Sequence, residues 1–359
     1  MDEQLRAVTA LAKWFEQNRR KMPWRDDPTP YHVLVSEFML QQTQVASVID
    51  YFTRFIKRFP SIEALARAPY DEVLKYWAGL GYYARAKSLH ETAKRISRMG
   101  DFPRTREELL DLPGIGPYTA GAILSIAFDI PEPILDANIE RVLSRVERAG
   151  EGKDFKKNLW LHASAWVNIA YSHGIAPSVL NQALMELGAT VCSPKEPACA
   201  ECPLFLVCGA RYAGQTALYP PSKPKKDWVT VDEEVYCVFN SGMKFLVRKR
   251  GEREWRAGLW DLPDILPLPE DKLSFQGAVD LRLTVTHHKI FRTAVVYRYR
   301  NKTGPIDREK FRWIGGDELT KEVLPFAPSL LKTMKSVFTE YSYAPEARDE
   351  KVDEEGSAE

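Results

Sequence analysis

Leu112-Pro113-Gly114-Ile115-Gly116-Pro117-Tyr118-Thr119-Ala120 is the stretch that decides the fold. Its two glycines allow a tight hairpin and a close approach of backbone to a partner. Pro117 suits the first turn of the helix that follows. The free N–H groups at that helix start, with the helix dipole, form an anion site suited to a phosphate. Taken alone, the motif reads equally well as a helix–loop–helix turn with no ligand. Around it the chain from residue 2 to about 190 reads as mostly helical. Apolar residues recur at three and four spacing in 4–19, 33–59 with a break, 85–99, 118–128, 139–147 and 178–190.

Two acidic residues flank the hairpin. Downstream, Ile134-Leu135-Asp136-Ala137-Asn138-Ile139 sets an aspartate after an apolar pair and before a helical pattern. By itself Asp136 reads first as a helix N-cap. Upstream, Glu37 is the only charge between residues 33 and 40. A desolvated carboxyl has a raised pKa and can act as a general acid. The plainer reading is a solvent-facing helix residue, because buried glutamate is rare.

Beyond the helical stretch the cysteines cluster as Cys192-x6-Cys199-x2-Cys202-x5-Cys208. Four thiolates in one loop suit a tetrahedral zinc or a [4Fe–4S] cluster, and the spacing leaves both open. Cys237 falls in an expected strand and reads as a small core residue. Residues 209–230, with Pro220, Pro221 and Pro224 among lysines, read as an extended linker. After it come short β-branched and aromatic runs at 234–240, 244–249, 281–287 and 293–299, then a helix near 328–338. Ser241-Gly242 reads as the turn between the first two runs.

The length of 359 residues fits roughly two domains at about 150 residues each. A composition 45% hydrophobic and 28% charged, with mean hydropathy −0.34, excludes a wholly disordered chain. No apolar run approaches the ~18–20 residues of a spanning helix. The first residues, MDEQLRAVTALAKWFEQNRRK, lack the apolar core of a signal peptide, so a cytoplasmic location is expected. Net charge is +1, but residues 346–359 hold seven acids and two bases, and the remainder has 48 bases against 42 acids. A mildly basic body is therefore hidden by an acidic tail that reads as disordered.

Together the hairpin, the later aspartate and the four-cysteine loop resemble the helix-hairpin-helix DNA glycosylases that carry an iron–sulfur cluster. Pro23-Trp24-Arg25, Ser36-Glu37, Met39-Leu40-Gln41-Gln42-Thr43-Gln44-Val45 and Gly79-Leu80-Gly81-Tyr82-Tyr83-Ala84-Arg85 resemble more narrowly the adenine DNA glycosylase (MutY) family, over roughly residues 4–220. The resemblance implies two domains. An all-α helix-hairpin-helix glycosylase domain spans 1–210, with its cluster loop at 192–208. After a linker at 211–230, an α+β Nudix-like DNA-recognition domain spans 231–342, followed by the tail at 343–359. It implies a [4Fe–4S] cofactor on Cys192, Cys199, Cys202 and Cys208.

The same resemblance implies that Glu37 protonates the adenine base, that Asp136 stabilises the sugar cation, and that Asn138 and Tyr118 position them. Related glycosylase/lyases have a Schiff-base lysine where this chain has Tyr118, which implies a monofunctional glycosylase that leaves an abasic site. Arg25, Leu40 and Gln182 are implied to line the adenine pocket. Gln42, Thr43, Leu80 and Tyr82 are implied to fill the gap and meet the opposite purine. The amides at Gly114 and Gly116, with Lys195 and Arg211, are implied to hold phosphates. The implied partner is double-stranded DNA with adenine opposite 8-oxoguanine or guanine, bound by a monomer with no membrane contact, on the nucleoid if the source is prokaryotic.

Two positions depart from the family. Thr286-His287-His288 stands where the family reads Phe-Ser-His, so only the last histidine is kept. Recognition of 8-oxoguanine is then either rebuilt on these residues or weakened, unless they are ordinary surface residues. Ala137 replaces a usual glycine. The segment Trp255-Arg256-Ala257-Gly258-Leu259-Trp260-Asp261-Leu262-Pro263 resembles the Nudix-like strand–turn, but the glutamate-rich Nudix box is absent, so diphosphate hydrolysis is not expected. The competing readings are a thymine glycosylase for G·T mismatches and a non-catalytic iron–sulfur protein that binds damaged DNA; Tyr118 disfavours an oxidised-pyrimidine glycosylase/lyase.

Overall fold

The apolar stretches on either side of the hairpin motif become two buried helices. In the computed structural model, which describes residues 3–149, 154–221, 227–252, 254–285, 287–320 and 324–341, Pro30–Leu40 starts with proline at its first position. Thr29 caps it, its hydroxyl accepting from His32 N at 3.2 Å. Residues 33–39 of this helix are all buried. Pro117–Phe128 likewise buries residues 119–125. A helix apolar on every side belongs in an interior, and these two pack on each other.

Each then contacts a different group of helices. Pro30–Leu40 packs on Val45–Arg58 and Ala84–Met99, whereas Pro117–Phe128 packs on Pro177–Thr190 and Arg106–Leu110. One group joins Glu3–Asn18, Ala137–Glu147, Phe155–Ser172 and Pro177–Thr190 around Leu11, Phe15, Leu143, Trp166 and Leu184. The other is aromatic: the Phe55 ring lies 4.8 Å from Phe59 and 6.2 Å from Trp77. Each such buried side chain contributes about 1.5–3 kcal/mol. The break expected within 33–59 falls at 41–44.

The hairpin has its glycine where the backbone demands one. Gly114 has φ +78°, and a Cβ there would sit 2.7 Å from Ser88 Cβ and 2.9 Å from a Phe38 ring carbon. Gly116 then caps Pro117–Phe128.

The chain divides into two compact units, Met1–Lys225 and Lys226–Glu359. The expected linker is partly structured: Gly209–Tyr212 is helical and Thr216–Leu218 forms a 3₁₀ turn. Arg145 Nε donates to the carbonyls of Thr216 and Tyr219 at 3.0 Å, which ties this segment down. Residues 222–226 of the linker and the acidic tail at 343–359 lie outside the described residues.

The second unit is a mixed six-stranded sheet. Its strands are β1 (Val229–Phe239), β2 (Phe245–Lys249), β3 (Trp260–Asp261), β4 (Leu273–Val285), β5 (His288–Tyr299) and β6 (Phe311–Ile314). They run in the order β3-β2-β1-β5-β4, with β6 alongside β2. β1 and β5 are parallel; the other pairs are antiparallel. The helix Pro328–Tyr341 buries Leu330, Met334 and Val337, and Cys237 lies buried with its Sγ 3.6 Å from Met334 Sδ. The turn between β1 and β2 falls at Ser241-Gly242, as expected. Asn240 Oδ1 accepts from Gly242 N and Lys244 N, and the left-handed residue is Met243 at φ +59°.

A charged network is buried within this unit. Arg292 donates to Asp261 at 3.0 and 3.2 Å and to Glu233 at 2.9 Å, and Arg256 bonds the same two carboxylates. Burial alone would raise the Asp261 pKa, but Arg292 and Arg256 more than offset it and hold it below the usual aspartate value. Replacing Asp261 by alanine leaves two buried arginines to share the single carboxylate of Glu233 and is expected to cost about 3–5 kcal/mol. Urea unfolding of the full chain measures this; a shift no larger than that of a surface variant would show the network to be dispensable. Because the folded pKa is lowered, the contribution is full above the unfolded aspartate pKa and fades as pH falls through the folded value.

Candidate active site

Burial sets the chemistry of Glu37. Its helix is buried along residues 33–39, so the carboxyl, at 6% exposure, meets water only through the cavity it lines. Desolvation is the largest effect and pushes its pKa up to about 7, with the Asp136 charge adding to the rise. The Tyr118 hydroxyl, hydrogen-bonded to it, and the nearby Arg25 pull the other way. A carboxyl poised near neutrality can both give and take a proton.

Asp136 is at once the N-cap expected from sequence and a member of the site. Oδ1 accepts from Ile139 N at 2.8 Å and Oδ2 from Asn138 Nδ2 at 2.9 Å. Burial raises its pKa, and those same bonds, with Arg141, counter the rise. Asn138 is fixed in turn: Arg141 Nη2 donates to its Oδ1 at 2.8 Å and to Gly188 O at 2.7 Å, while Arg141 Nε donates to Cys192 O at 2.7 Å. The helices of Asn138 and Gly188 nearly touch here, since a Cβ on Gly188 would lie 2.6 Å from Asn138 Cβ. Tyr118, in the first turn of Pro117–Phe128, sets its hydroxyl oxygen 3.3 Å from Met185 Sδ. Burial, then the Glu37 and Asp136 charges, raise its pKa well above the ordinary value, so the hydroxyl keeps its proton.

These groups share one cavity of about 640 Å³. It brings together Arg25, Glu37, Leu40, Gln42, Thr43, Tyr118, Asp136, Asn138 and Gln182. Leu80, Tyr82, Gly114 and Gly116 are not part of its lining. Leu80 is buried, whereas Tyr82 is 41% exposed and, like Gln42, has a left-handed backbone, at φ +49° and +57° respectively. Gln182 Nε2 donates to Ser178 O, one turn back on its own helix.

Sequence reading missed Glu186, which lines the same cavity at 1% exposure. Its carboxylate accepts from Arg20 Nε at 2.6 Å and from Arg25 Nη2 at 2.9 Å, and so holds Arg25 beside the cavity. Those arginines pull its pKa down against the rise from burial. The signal that singled out Glu37 was present here too: Glu186 is a lone charge within Ala183-Leu184-Met185-Glu186-Leu187-Gly188.

Cys192, Cys199, Cys202 and Cys208 line a separate pocket with Arg145, Phe205 and Arg211. Burial first, then the neighbouring cysteines, push the Cys202 thiol up to about 12. Arg145 Nη1 reaches Cys192 Sγ at 3.2 Å. All four sulfurs belong to one loop and face one small pocket. Lys195 is exposed, and the Arg211 guanidinium lies over the Phe205 ring.

In the second unit, Thr286 lies outside the described residues. His287 occupies the turn between β4 and β5, rather than ending a strand, and its ring lies 4.2 Å from that of His288, the first residue of β5. Trp255 packs against His288 at 5.6 Å.

With this geometry in view, comparison with known proteins is informative. Residues 35–162 match the model of the HhH-GPD superfamily base excision DNA repair proteins. A solved thermostable thymine-DNA glycosylase is 28% identical, with a TM-score of 0.51 over 59% of this chain and 97% of its own. The adenine DNA glycosylase of Mus musculus is 45% identical over 214 residues, 56% of this chain, although the chain spans only 41% of that relative. The adenine DNA glycosylase of Buchnera aphidicola subsp. Schizaphis graminum is 36% identical over 260 residues, covering 71% of this chain and 73% of that one. Similarity at that level over nearly three quarters of both chains, across the helices that carry Glu37, Tyr118 and Asp136, makes this chain a member of the adenine DNA glycosylase family.

Proposed function

We propose that the chain is a monofunctional DNA glycosylase of base excision repair that hydrolyses the N-glycosidic bond of adenine opposite 8-oxoguanine or guanine. The observation that carries this reading is the Glu37 carboxyl, buried and poised near neutrality, in one cavity with Tyr118 and the capped Asp136. Adenine is a poor leaving group, and its bond to the sugar breaks through an oxocarbenium-like state. The chemistry therefore asks for an acid at the base and an anion at the sugar.

In this reading the base is flipped out of the duplex into the cavity, at a cost of a few kcal/mol. Glu37 gives its proton to adenine N7. The electron pair of the bond to C1′ leaves with the base, and Asp136, aimed by Asn138, faces the sugar cation. Water adds to C1′ and returns a proton to the Glu37 carboxylate. Tyr118 offers no amine, so no Schiff base forms and an abasic site is left. Arg25, Leu40 and Gln182 line the base pocket, with Glu186 holding Arg25. Gln42, Thr43, Leu80 and Tyr82 fill the gap, and the Gly114 and Gly116 amides hold a phosphate.

The donor set of four soft thiolates, facing one pocket beside the cationic Arg145, fits a [4Fe–4S] cluster on Cys192, Cys199, Cys202 and Cys208. When bound, the cluster supplies a rigid cross-link for the 192–208 loop next to the Ala137–Glu147 helix. The second unit is read as a Nudix-like domain that meets the purine opposite adenine through residues 286–288. The enzyme is read as a cytoplasmic monomer, nucleoid-associated if the source is prokaryotic.

The test uses duplexes with adenine opposite 8-oxoguanine, adenine opposite guanine, and thymine opposite guanine, followed by alkaline cleavage of abasic sites. Strand breaks at adenine alone are expected. Breaks at thymine alone point to the G·T glycosylase, and no breaks point to a non-catalytic binder. The ratio of the first two rates reports how far residues 286–288 discriminate. Glu37→Gln is expected to bind the mismatch and release no base.

Base release should slow as pH rises through about 7, because the acid form of Glu37 is then lost. The folded pKa lies above the unfolded one, so ionising Glu37 weakens the fold between those two values. Above about 7 Glu37→Gln is expected to be more stable than wild type by up to roughly 3 kcal/mol, the gap closing below the unfolded glutamate pKa. Thermal melts at pH 5 and 8 read this out; an equal gap at both would mean the carboxyl is not desolvated. Iron and sulfide assays are expected to give about four of each per chain. One zinc per chain would overturn the cluster, and Cys199→Ser should lower both iron content and DNA affinity.

A further inference from the structure

We propose that Arg85 is a positioning residue that clamps the loops 41–43 and 80–82 into one wedge, so that the adenine and the gap behind it are controlled together. The proposal rests on the glycosylase reading. Arg85 is the second residue of Ala84–Met99 and is 8% exposed. Nη1 donates to the carbonyls of Phe38 and Met39 at 2.8 Å and of Gln41 at 2.5 Å. Nη2 donates to Thr43 Oγ1 at 3.1 Å, Leu80 O at 3.3 Å and Gly81 O at 3.2 Å. Its planar face lies 5.4 Å from the Trp77 ring centroid and 5.3 Å from that of Tyr82. Among the described residues no carboxylate pairs with it.

The choice of partners explains the residue. The last carbonyls of a helix have no intrahelical donors and sit at its negative pole. Phe38 and Met39 belong to the end of the helix that carries Glu37, and Gln41 follows it. One half of the guanidinium fork takes up those oxygens, and the other half reaches across to a different loop. Both loops hold a non-glycine residue in the left-handed region, Gln42 and Tyr82. Such backbones cost about 1–3 kcal/mol each and persist only where the surroundings impose them. Arg85 is bonded to both loops at once, which the Trp77 Nε1 bond to Gly81 O cannot achieve alone. A lysine would keep the charge but offers its donors from a single point, too narrow to bridge both loops.

A mere helix cap would affect stability alike whatever the substrate. A clamp on the wedge affects only steps that need the gap filled. The test compares the full chain and Arg85→Lys in single-turnover base release from adenine paired with 8-oxoguanine and from the same adenine in single-stranded DNA, where little stacking has to be broken. Hydrogen–deuterium exchange is followed in both loops. The variant is expected to lose about 100-fold on the duplex and less than about threefold on the single strand, with faster exchange in both loops and little change elsewhere in their helices. Equal losses on the two substrates, or faster exchange in one loop only, would overturn the clamp. Should Arg85→Lys fail to fold, Thr43→Val removes a single clamp acceptor and is expected to speed exchange across the gap at 80–82; no change there also overturns it. If wild type releases adenine from neither substrate, the glycosylase reading fails and the exchange data alone decide the clamp.

Discussion

A carboxyl group kept away from water is the constraint on which the rest of the helical unit depends. Ionising Glu37 in its apolar surroundings is costly, and the fold accepts that cost only because the residues around it are so thoroughly packed. The Pro30–Leu40 helix is buried on every side, with Pro117–Phe128 against it and an aromatic group of helices behind it. Were that packing looser, water would enter, the Glu37 pKa would fall back toward its ordinary value, and the proton would be gone at neutrality. Asp136 is also buried and its pKa also raised, but a helix start and an amide counter that rise. Two carboxyls a short distance apart are thereby given different work by their hydrogen bonds and solvent access.

The second unit solves a different problem with charge. Its sheet carries an arginine–carboxylate network in a region that a smaller protein would fill with leucine. Arg292, Arg256, Asp261 and Glu233 satisfy one another's hydrogen bonds, which is the condition under which burying them is tolerable. Their long, directional bonds fix β3 against β1, β5 and the start of Pro328–Tyr341, where Ser329 also bonds Asp261.

Much of this was legible beforehand, for identifiable reasons. Long amphipathic or wholly apolar runs such as 4–19 and 118–128 announce helices by periodicity. Glu37 announced itself as a charge where apolar residues were due. Asp136 reads as a cap or as a site; it is the cap, and it also lines the cavity, because a carboxylate at a helix start is already held and aimed. What escaped had physical causes. Ile62–Arg67 and Tyr70–Trp77 are short helices that tertiary packing supports and periodicity barely marks. The first half of β4 hides because its residues are largely exposed and a bulge between Phe275 and Gly277 breaks the alternation. Glu186 escaped because its partners, Arg20 and Arg25, lie more than 160 residues away in sequence. The burial of Leu80 and the shared role of Arg85 likewise depend on loops that only the fold brings together.

Gly188 has a meaning beyond its size. Where it meets Asn138 the two backbones leave no room for even a methyl group. The helices Ala137–Glu147 and Pro177–Thr190 are thus pinned in register at one point, two residues from Asp136 and four from Cys192. Outlying loops can lengthen or drift without disturbing that point. A side chain at 188 would instead tilt one helix on the other like a pebble in a hinge, and the damage would be read in the aim of Asp136 while most of the core stayed intact.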